Sequence, residues 1–348
     1  MIDVVETSST RAQVTERARP PHVLELQGLA VEYRVGGKRV RAVDGVDLEI
    51  GHGEILGLAG ESGCGKSTIA NTVMQILRPP AQVVGGSIRF LGENVLEMSP
   101  ERLRQYRWND VSMVFQSAMN ALNPVMRVGD QFVDMMRAHR RVSKKEALAR
   151  AGDLLELVGI ERRRIGAYAY ELSGGMRQRV IIAMALALQP ELVILDEPTT
   201  ALDVVVQREI LRQIQEIQRE LRFSVLFITH DLSLLLEVAD RIAIMYAGEI
   251  VESATAQQLA AQPRHPYTQG LLQSFPPLHG PLTRLTGIPG APPDLAKPPA
   301  GCRFHPRCPF CDPANAHMYA RQTTERPLLE LVEPGHAVAC HLVSRDDA

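Results

Sequence analysis

Long apolar runs are missing from this chain. The longest, Val180 to Leu188, ends at Gln189 and Pro190. That is well short of the ~18 residues a bilayer-spanning helix needs. An excess of one charge is missing too: 38 Lys and Arg stand against 40 Asp and Glu, a net −2. This excludes a wholly basic nucleic-acid binder. Aromatics make up only 5% of the chain. The basic stretches Arg102–Arg107 and Arg137–Lys145 are therefore not backed by a concentration of aromatic side chains, as single-strand binding requires, and they read as solvated helix faces. The opening MIDVVETSSTRAQVTERARPP holds no apolar stretch that could serve as an export signal, and residues 1–21 read as a polar tail. Cysteine is nearly absent from the first four-fifths, which hold Cys64 alone. Cys302, Cys308, Cys311 and Cys340 crowd the last fifth. Without an export signal, that clustering favours metal ligation over disulfides.

What is present suffices for a sizeable core. Of the 348 residues, 45% are apolar, enough for one large domain plus an extension, or two modest domains. Residues 22–275 alternate short Val/Ile/Leu-rich runs with amphipathic helical patterns, the mark of an α/β fold with a largely parallel sheet. Glu54–Ala59 reads as a buried strand, Lys66–Leu77 as the helix after it, and Leu192–Leu195 and Ser224–Ile228 as further buried strands. Residues from about 100 to 170 are more helical and more charged. Ser143 with Glu146 three residues later forms a capping box opening a helix to Val158. This stretch reads as a helical subdomain. From residue 276 to 348, prolines break any long element, and the sequence predicts a small loop-rich extension.

Four segments carry chemistry, in one order: GESGCGKST (Gly60–Thr68), LSGGMRQ (Leu172–Gln178), LVILDEP (Leu192–Pro198) and ITHD (Ile228–Asp231). The first matches the phosphate-binding loop G-x-x-x-x-G-K-[ST]. Gly60, Gly63 and Gly65 let the backbone approach phosphate. Lys66 is a point charge for the β- and γ-phosphates, and Ser67 can ligate Mg²⁺. Ser62, Cys64 and Thr68 complete the cradle. Asp196 closes an apolar strand, where a carboxylate can hold Mg²⁺, and Glu197 is placed to polarise an attacking water. Ser173, Gly174 and Gly175 open a helical pattern, Met176 to Leu188, and their place at a helix N-terminus reads equally as a second anion site or as an ordinary cap.

Together these segments resemble the ATP-binding-cassette (ABC) ATPases over residues 22–275. The resemblance implies a RecA-like P-loop core, an antiparallel β subdomain and a helical subdomain. It also implies the adenine-stacking role of Tyr33, the sensing of Mg²⁺ and water by Gln116, the γ-phosphate contact of His230, and a D-loop, Ala201-Leu202-Asp203, whose Asp203 belongs to the nucleotide site. ATP and Mg²⁺ are the implied ligands. Two copies would pair head to tail, with Ser173, Gly174, Gly175 and Gln178 facing the ATP held by the other copy.

FQSAMNALNP (Phe115–Pro124), IMYAGEIVE (Ile244–Glu252), HPYTQGLL (His265–Leu272) and GCRFHPRCP (Gly301–Pro309) resemble one branch in particular, the oligopeptide/dipeptide importer ATPases. That branch imports peptides, nickel chelates or some oligosaccharides. Its members work with two transmembrane permeases, often a sibling ATPase, and indirectly an extracytoplasmic solute-binding protein, at the cytoplasmic face of the membrane. Part of the basic helical stretch would then meet a permease. A soluble cassette ATPase acting on nucleic acid or ribosomes is the competing class, but such proteins usually carry paired cassettes, coiled coils or zinc insertions, and none is visible here. The branch also implies a 4Fe–4S cluster in the extension. The spacing C-x5-C-x2-C-x28-C over Cys302, Cys308, Cys311 and Cys340 supplies four thiolates for it or for zinc, with a metal-free extension as the remaining alternative, since the branch usually places its third Cys further downstream than Cys311.

Overall fold

The computed structural model describes residues 20–116, 121–199, 203–274 and 287–343. Its strands are β1 (His22–Val35), β2 (Lys38–Gly51), β3 (Ile55–Ala59), β4 (Ala81–Phe90), β5 (Glu93–Asn94), β6 (Val111–Val114), β7 (Leu192–Asp196), β8 (Ser224–Thr229), β9 (Arg241–Tyr246), β10 (Glu249–Thr255), β11 (Glu330–Glu333) and β12 (His336–Val338). Its α-helices are α1 (Lys66–Val73), α2 (Pro100–Gln105), α3 (Val128–His139), α4 (Lys144–Leu157), α5 (Gly174–Leu186), α6 (Val204–Leu221), α7 (Leu232–Val238), α8 (Ala256–Ala261), α9 (Pro266–Gln273) and α10 (Ala316–Thr324).

Two sheets organise these elements. β2-β1-β4-β5 form an antiparallel sheet, and β11-β12-β10-β9-β3-β8-β7-β6 form a larger one. In the larger sheet β9, β3, β8, β7 and β6 run parallel, while β10, β12 and β11 continue it antiparallel. The parallel strands are apolar without alternation because both faces are covered. Successive residues enter different cores: Leu192 and Ile194 of β7 pack under the antiparallel sheet with α1. Val193 and Leu195 pack against the helical side with α5 and α6. The expected α/β class, antiparallel subdomain and helical subdomain are all present.

The helical stretch is built as its sequence suggests. Ser143 Oγ accepts from the Glu146 amide (3.2 Å), and the Glu146 carboxylate accepts from the Ser143 amide (2.8 Å). Its arginines are largely committed within the chain: Arg102 pairs with Glu93 and Asp110, Arg107 donates to the Met74 and Gln75 carbonyls, and Arg140 donates to Asn109 and the Leu188 carbonyl. The helix after the phosphate loop ends at Val73, four residues before Leu77, the predicted end.

The extension differs from expectation. It is not merely loops: β12 adds to β10, with Glu252 opposite Val338, and thereby covers what would be an open sheet edge. Nor is it stapled by metal. Among the described residues, which include all four cysteines, no three His, Cys, Asp or Glu side chains are grouped to hold a metal ion. The 4Fe–4S cluster expected on Cys302, Cys308, Cys311 and Cys340, and zinc as its alternative, are therefore withdrawn. Burial pushes the Cys302 thiol up to about 11 and the Cys340 thiol up to about 12, so both stay protonated. Cys302 and Cys308 pack as small apolar groups against the core.

Ion pairs and aromatic packing hold the extension instead. Arg303 pairs with Asp44 of β2 and Glu249 of β10, and Arg326 reaches the same two carboxylates. Phe304 packs edge-on against Tyr246 at 5.2 Å and tilted against Tyr267 at 5.5 Å. His336 meets Glu252 at 2.7 Å, with both side chains fully buried.

Candidate active site

The site lies at the C-terminal ends of the parallel strands, where a ligand meets the loops of such a sheet. β3 ends at Ala59 and the chain enters the phosphate loop. Gly60 sits at φ 151°, and a Cβ there would lie 2.1 Å from the Met245 carbonyl oxygen. Gly65 sits at φ 116°, and its Cβ would lie 2.2 Å from the Ala42 carbonyl oxygen. Only glycine fits either position, because the atoms in the way are backbone. Ser62 and Gly63 are exposed at the crest of the loop, whereas Cys64 is buried and burial raises its thiol.

The Lys66 ammonium folds back under the loop, donating to the carbonyls of Gly60 (2.7 Å) and Glu61 (3.0 Å). The first turn of α1 therefore presents backbone N–H groups and a cation together, an anion site with no Cβ in the way. Ser67 is exposed on that turn and its hydroxyl donates to Asp196 (3.2 Å). The Tyr33 hydroxyl, from β1, lies 3.2 Å from the Thr68 hydroxyl, so the predicted adenine-side residue sits against the same helix start.

Strand order brings the remaining groups alongside. β3, β8, β7 and β6 are neighbours, and each ends in one of them. Asp196 ends β7 and is buried. Its carboxyl is raised, first by burial and further by Glu197, with the Ser67 hydrogen bond opposing. Glu197 follows at φ 48°, a left-handed conformation that a non-glycine residue adopts at a cost of about 1–3 kcal/mol and that clusters at functional sites. The turn aims its carboxylate between two partners. Gln116, after β6, donates Nε2 to one oxygen at 2.9 Å, and His230, after β8, places Nδ1 3.1 Å from the other. A hydroxyl and a buried carboxylate beside a second carboxylate are hard oxygen donors of the kind Mg²⁺ takes.

Ser173 caps α5, accepting from the Met176 amide at 3.3 Å, and is exposed. Gly174 and Gly175 form the first turn of that helix. A Cβ on Gly175 would meet Val206 of α6 at 2.9 Å, so this glycine is required for helix packing as well. Gln178 is placed differently: it is buried on the inner face of α5, not beside Ser173 on the open end. Asp203 caps α6 through the Val205 and Val206 amides, while Ala201 and Leu202 lie outside the described residues.

Three residues that sequence reasoning passed over also converge here. The Glu61 amide donates to the Tyr267 hydroxyl (2.9 Å), and the Glu61 carboxylate pairs with Arg307 of the extension. The available signal was two arginines, Arg303 and Arg307, in a segment poor in other charge. Both are buried.

Residues 43–200 match the family described as ABC transporter, and residues 251–314 match the oligopeptide/dipeptide transporter C-terminal region. The dipeptide transport ATP-binding protein DppD of Bacillus subtilis is 46% identical over 327 residues, covering 92% of this chain and 94% of that one. A probable peptide ABC transporter ATP-binding protein of Sinorhizobium fredii is 44% identical, covering 91% and 94%. Among solved structures, a dimeric ATP-binding cassette in a post-hydrolysis state, bound to ADP and Pi, is similar with a TM-score of 0.60 at 27% identity, covering 67% of this chain and 98% of the other.

Proposed function

The chain belongs to the ABC transporter family, among the ATP-binding subunits of peptide importers, and on that premise we propose how its residues divide the work of hydrolysing ATP. ATP is bound and hydrolysed to ADP and phosphate, and the hydrolysis drives solute uptake. The observation that carries the assignment of roles is the Glu197 carboxylate, held on one oxygen by Gln116 and on the other by His230 at the end of β7.

Gly60, Ser62, Gly63, Cys64, Gly65 and Thr68 shape the phosphate cradle, and Lys66 turns its ammonium from loop carbonyls to the β- and γ-phosphates. Glu197 orients and polarises the attacking water. With Nδ1 protonated, His230 fixes that carboxylate and presents its other ring nitrogen toward the γ-phosphate side. Gln116 senses the occupied site, since its amide shares the same carboxylate. Tyr33 supports the adenine. Such positioning and charge compensation are most of what phosphoryl transfer asks of a protein. Magnesium, when bound, screens the phosphate charge. Ser67 and Asp196 are the residues that fit it, with Gln116 nearby.

Ser173 is exposed at the start of α5, with Gly174 and Gly175 half-buried behind it, which suits contact with the ATP of a second cassette. We read Asp203 as part of the same contact. Residues 22–275 form the nucleotide-binding unit and 276–348 the extension. The partners are a second ATPase, identical or sibling, two transmembrane permeases and, indirectly, an extracytoplasmic binding protein that selects a peptide. Among the described residues no helix is long and apolar enough to cross a membrane. The working position is peripheral, at the cytoplasmic face. The test is a tagged pull-down from detergent-solubilised membranes with mass spectrometry. Two co-purifying permeases are expected. Ribosomal or DNA-associated proteins with no permease would overturn the transport reading.

A further inference from the structure

The extension reaches the phosphate loop itself. Arg307 is 7% exposed, and its guanidinium meets Glu61 fork to fork, at 2.7 Å to one carboxylate oxygen and 2.9 Å to the other. The guanidinium is itself fixed, through Nε to the Pro289 carbonyl (2.8 Å), through Nη1 to the Tyr246 hydroxyl (3.3 Å), and over the Tyr246 ring at 5.8 Å. Bidentate pairs of this kind are the strong, geometrically specific ones.

Glu61 is the second residue of the loop, and every polar group it has is engaged. Its amide goes to Tyr267 of α9, its carbonyl receives Lys66, and its carboxylate receives Arg307. The Lys66 ammonium thus rests on a carbonyl whose residue is gripped from α9 and from the extension. The carboxylate also bears on the ligand. A nucleoside triphosphate is a multiply charged anion, and an uncompensated carboxylate on the loop that receives it is repulsive.

We propose that Arg307 is a positioning residue for ATP: by pairing with Glu61 it cancels a carboxylate charge on the phosphate loop that opposes the incoming phosphates. This rests on the reading of Gly60–Thr68 as the phosphate loop. It gives the extension a role in nucleotide affinity beyond covering the sheet edge.

The test measures ATP affinity of the full chain by displacement of trinitrophenyl-ATP in magnesium buffer, at low and high salt. Arg307→Gln is expected to weaken ATP about tenfold or more, the scale of one uncompensated charge facing the phosphates at an intermediate dielectric. The loss is expected to shrink at high salt, because repulsion from the partly exposed Glu61 carboxylate is partly screened. The double variant Glu61→Gln/Arg307→Gln is expected to recover ATP affinity to within about threefold of the parent, about half of the 1.4 kcal/mol that a tenfold change represents. A purely structural Arg307 predicts the opposite, since the Pro289 and Tyr246 contacts are lost in both variants. Unchanged affinity in Arg307→Gln, or no recovery in the double variant, overturns the proposal. Should Arg307→Gln fail to fold, Glu61→Gln alone decides: the unneutralised guanidinium is expected to tighten ATP, and unchanged or weaker binding counts against the proposal. Lys66→Ala serves as the reference. If it binds ATP normally, the phosphate-loop reading fails; if it loses ATP while Arg307→Gln does not, only the role of Arg307 fails.

Discussion

Replacing Arg303 with alanine probes how the extension is held. The Arg303 side chain is 9% exposed and pairs with two carboxylates, Asp44 and Glu249 (Nε to Oε1, 2.8 Å), while also donating to the Ala247 carbonyl. Arg326 touches the same carboxylates, at 3.4 Å to Asp44 and 2.9 Å to Glu249, but is 44% exposed. Removing one partner of a buried pair costs about 3–5 kcal/mol. Since Arg326 remains, the lower end, about 3 kcal/mol, is expected. The penalty should depend on pH. Burial raises the Glu249 carboxyl, and Arg303 is the first group opposing that rise. In Arg303→Ala the folded-state value moves further above the unfolded one. The folded state then holds a proton that the unfolded state has lost, and stability falls as pH rises through that window. The penalty is therefore largest at alkaline pH and shrinks on acidification. Urea unfolding of Arg303→Ala and the parent at pH 5.5 and pH 8, followed by circular dichroism, reads the difference. A penalty under about 1 kcal/mol, within the range of an exposed pair, or one that grows on acidification, would refute the reasoning. So would a failure of Arg303→Met/Glu249→Gln to recover stability, because that variant leaves no buried charge at 249.

Other outcomes can be checked on the same protein. Gly60→Ala should weaken ATP about 100-fold, since its Cβ would sit 2.1 Å from the Met245 carbonyl oxygen and the loop must move; titration with trinitrophenyl-ATP reads this, and near-parental affinity contradicts it. Glu197→Gln should bind ATP but lose hydrolysis by about 10²–10⁴-fold, the usual worth of a general base, measured as phosphate release; normal turnover would remove Glu197 from that role. Asp196→Asn should abolish magnesium-dependent hydrolysis yet raise the urea midpoint of the nucleotide-free chain. Burial raises the Asp196 carboxyl, so its ionised form costs stability above that value and an amide avoids the cost; a lowered midpoint would show that the charge is instead compensated.

The motif residues were legible because the phosphate loop writes its requirements into local sequence. Gly60 and Gly65 are needed by backbone walls, and Lys66 and Ser67 by the helix that follows. The adjacency of Gln116, Glu197 and His230 was not legible from spacing, because it depends on strand order: β6, β7 and β8 are neighbours although 81 residues separate Gln116 from Glu197 and 33 separate Glu197 from His230. That part came from resemblance. Gln178 shows the limit of carrying a motif outward from its first residues. Five positions after Ser173, helical periodicity has turned its side chain into the core. The cysteine spacing misled for a related reason. A count of thiols says nothing of whether they form a site, and among the described residues no three ligand-type side chains are grouped to hold an ion, while buried arginines anchor the extension.

Those arginines matter because of where they attach. The end of β9 and the turn into β10 form one wall of the phosphate loop: the Met245 carbonyl stands where a Gly60 Cβ would be, and the Gly248 amide donates to the Cys64 carbonyl at 2.9 Å. The β2 segment forms the other wall, with the Ala42 carbonyl against Gly65. The two walls are joined, since the Asp44 amide donates to the Gly248 carbonyl at 2.9 Å. Arg303 bridges the same walls from outside, reaching Asp44 on one and Ala247 on the other. A nucleotide cradle at residues 60–68 is thus closed by chain near 42 and near 247 and braced from 303. Its shape is a property of the assembled tertiary structure rather than of the loop. The physical consequence is that the extension and the cradle share one set of interactions: loosening the first removes support from the second, and filling the second with ligand stabilises the first by the same free energy.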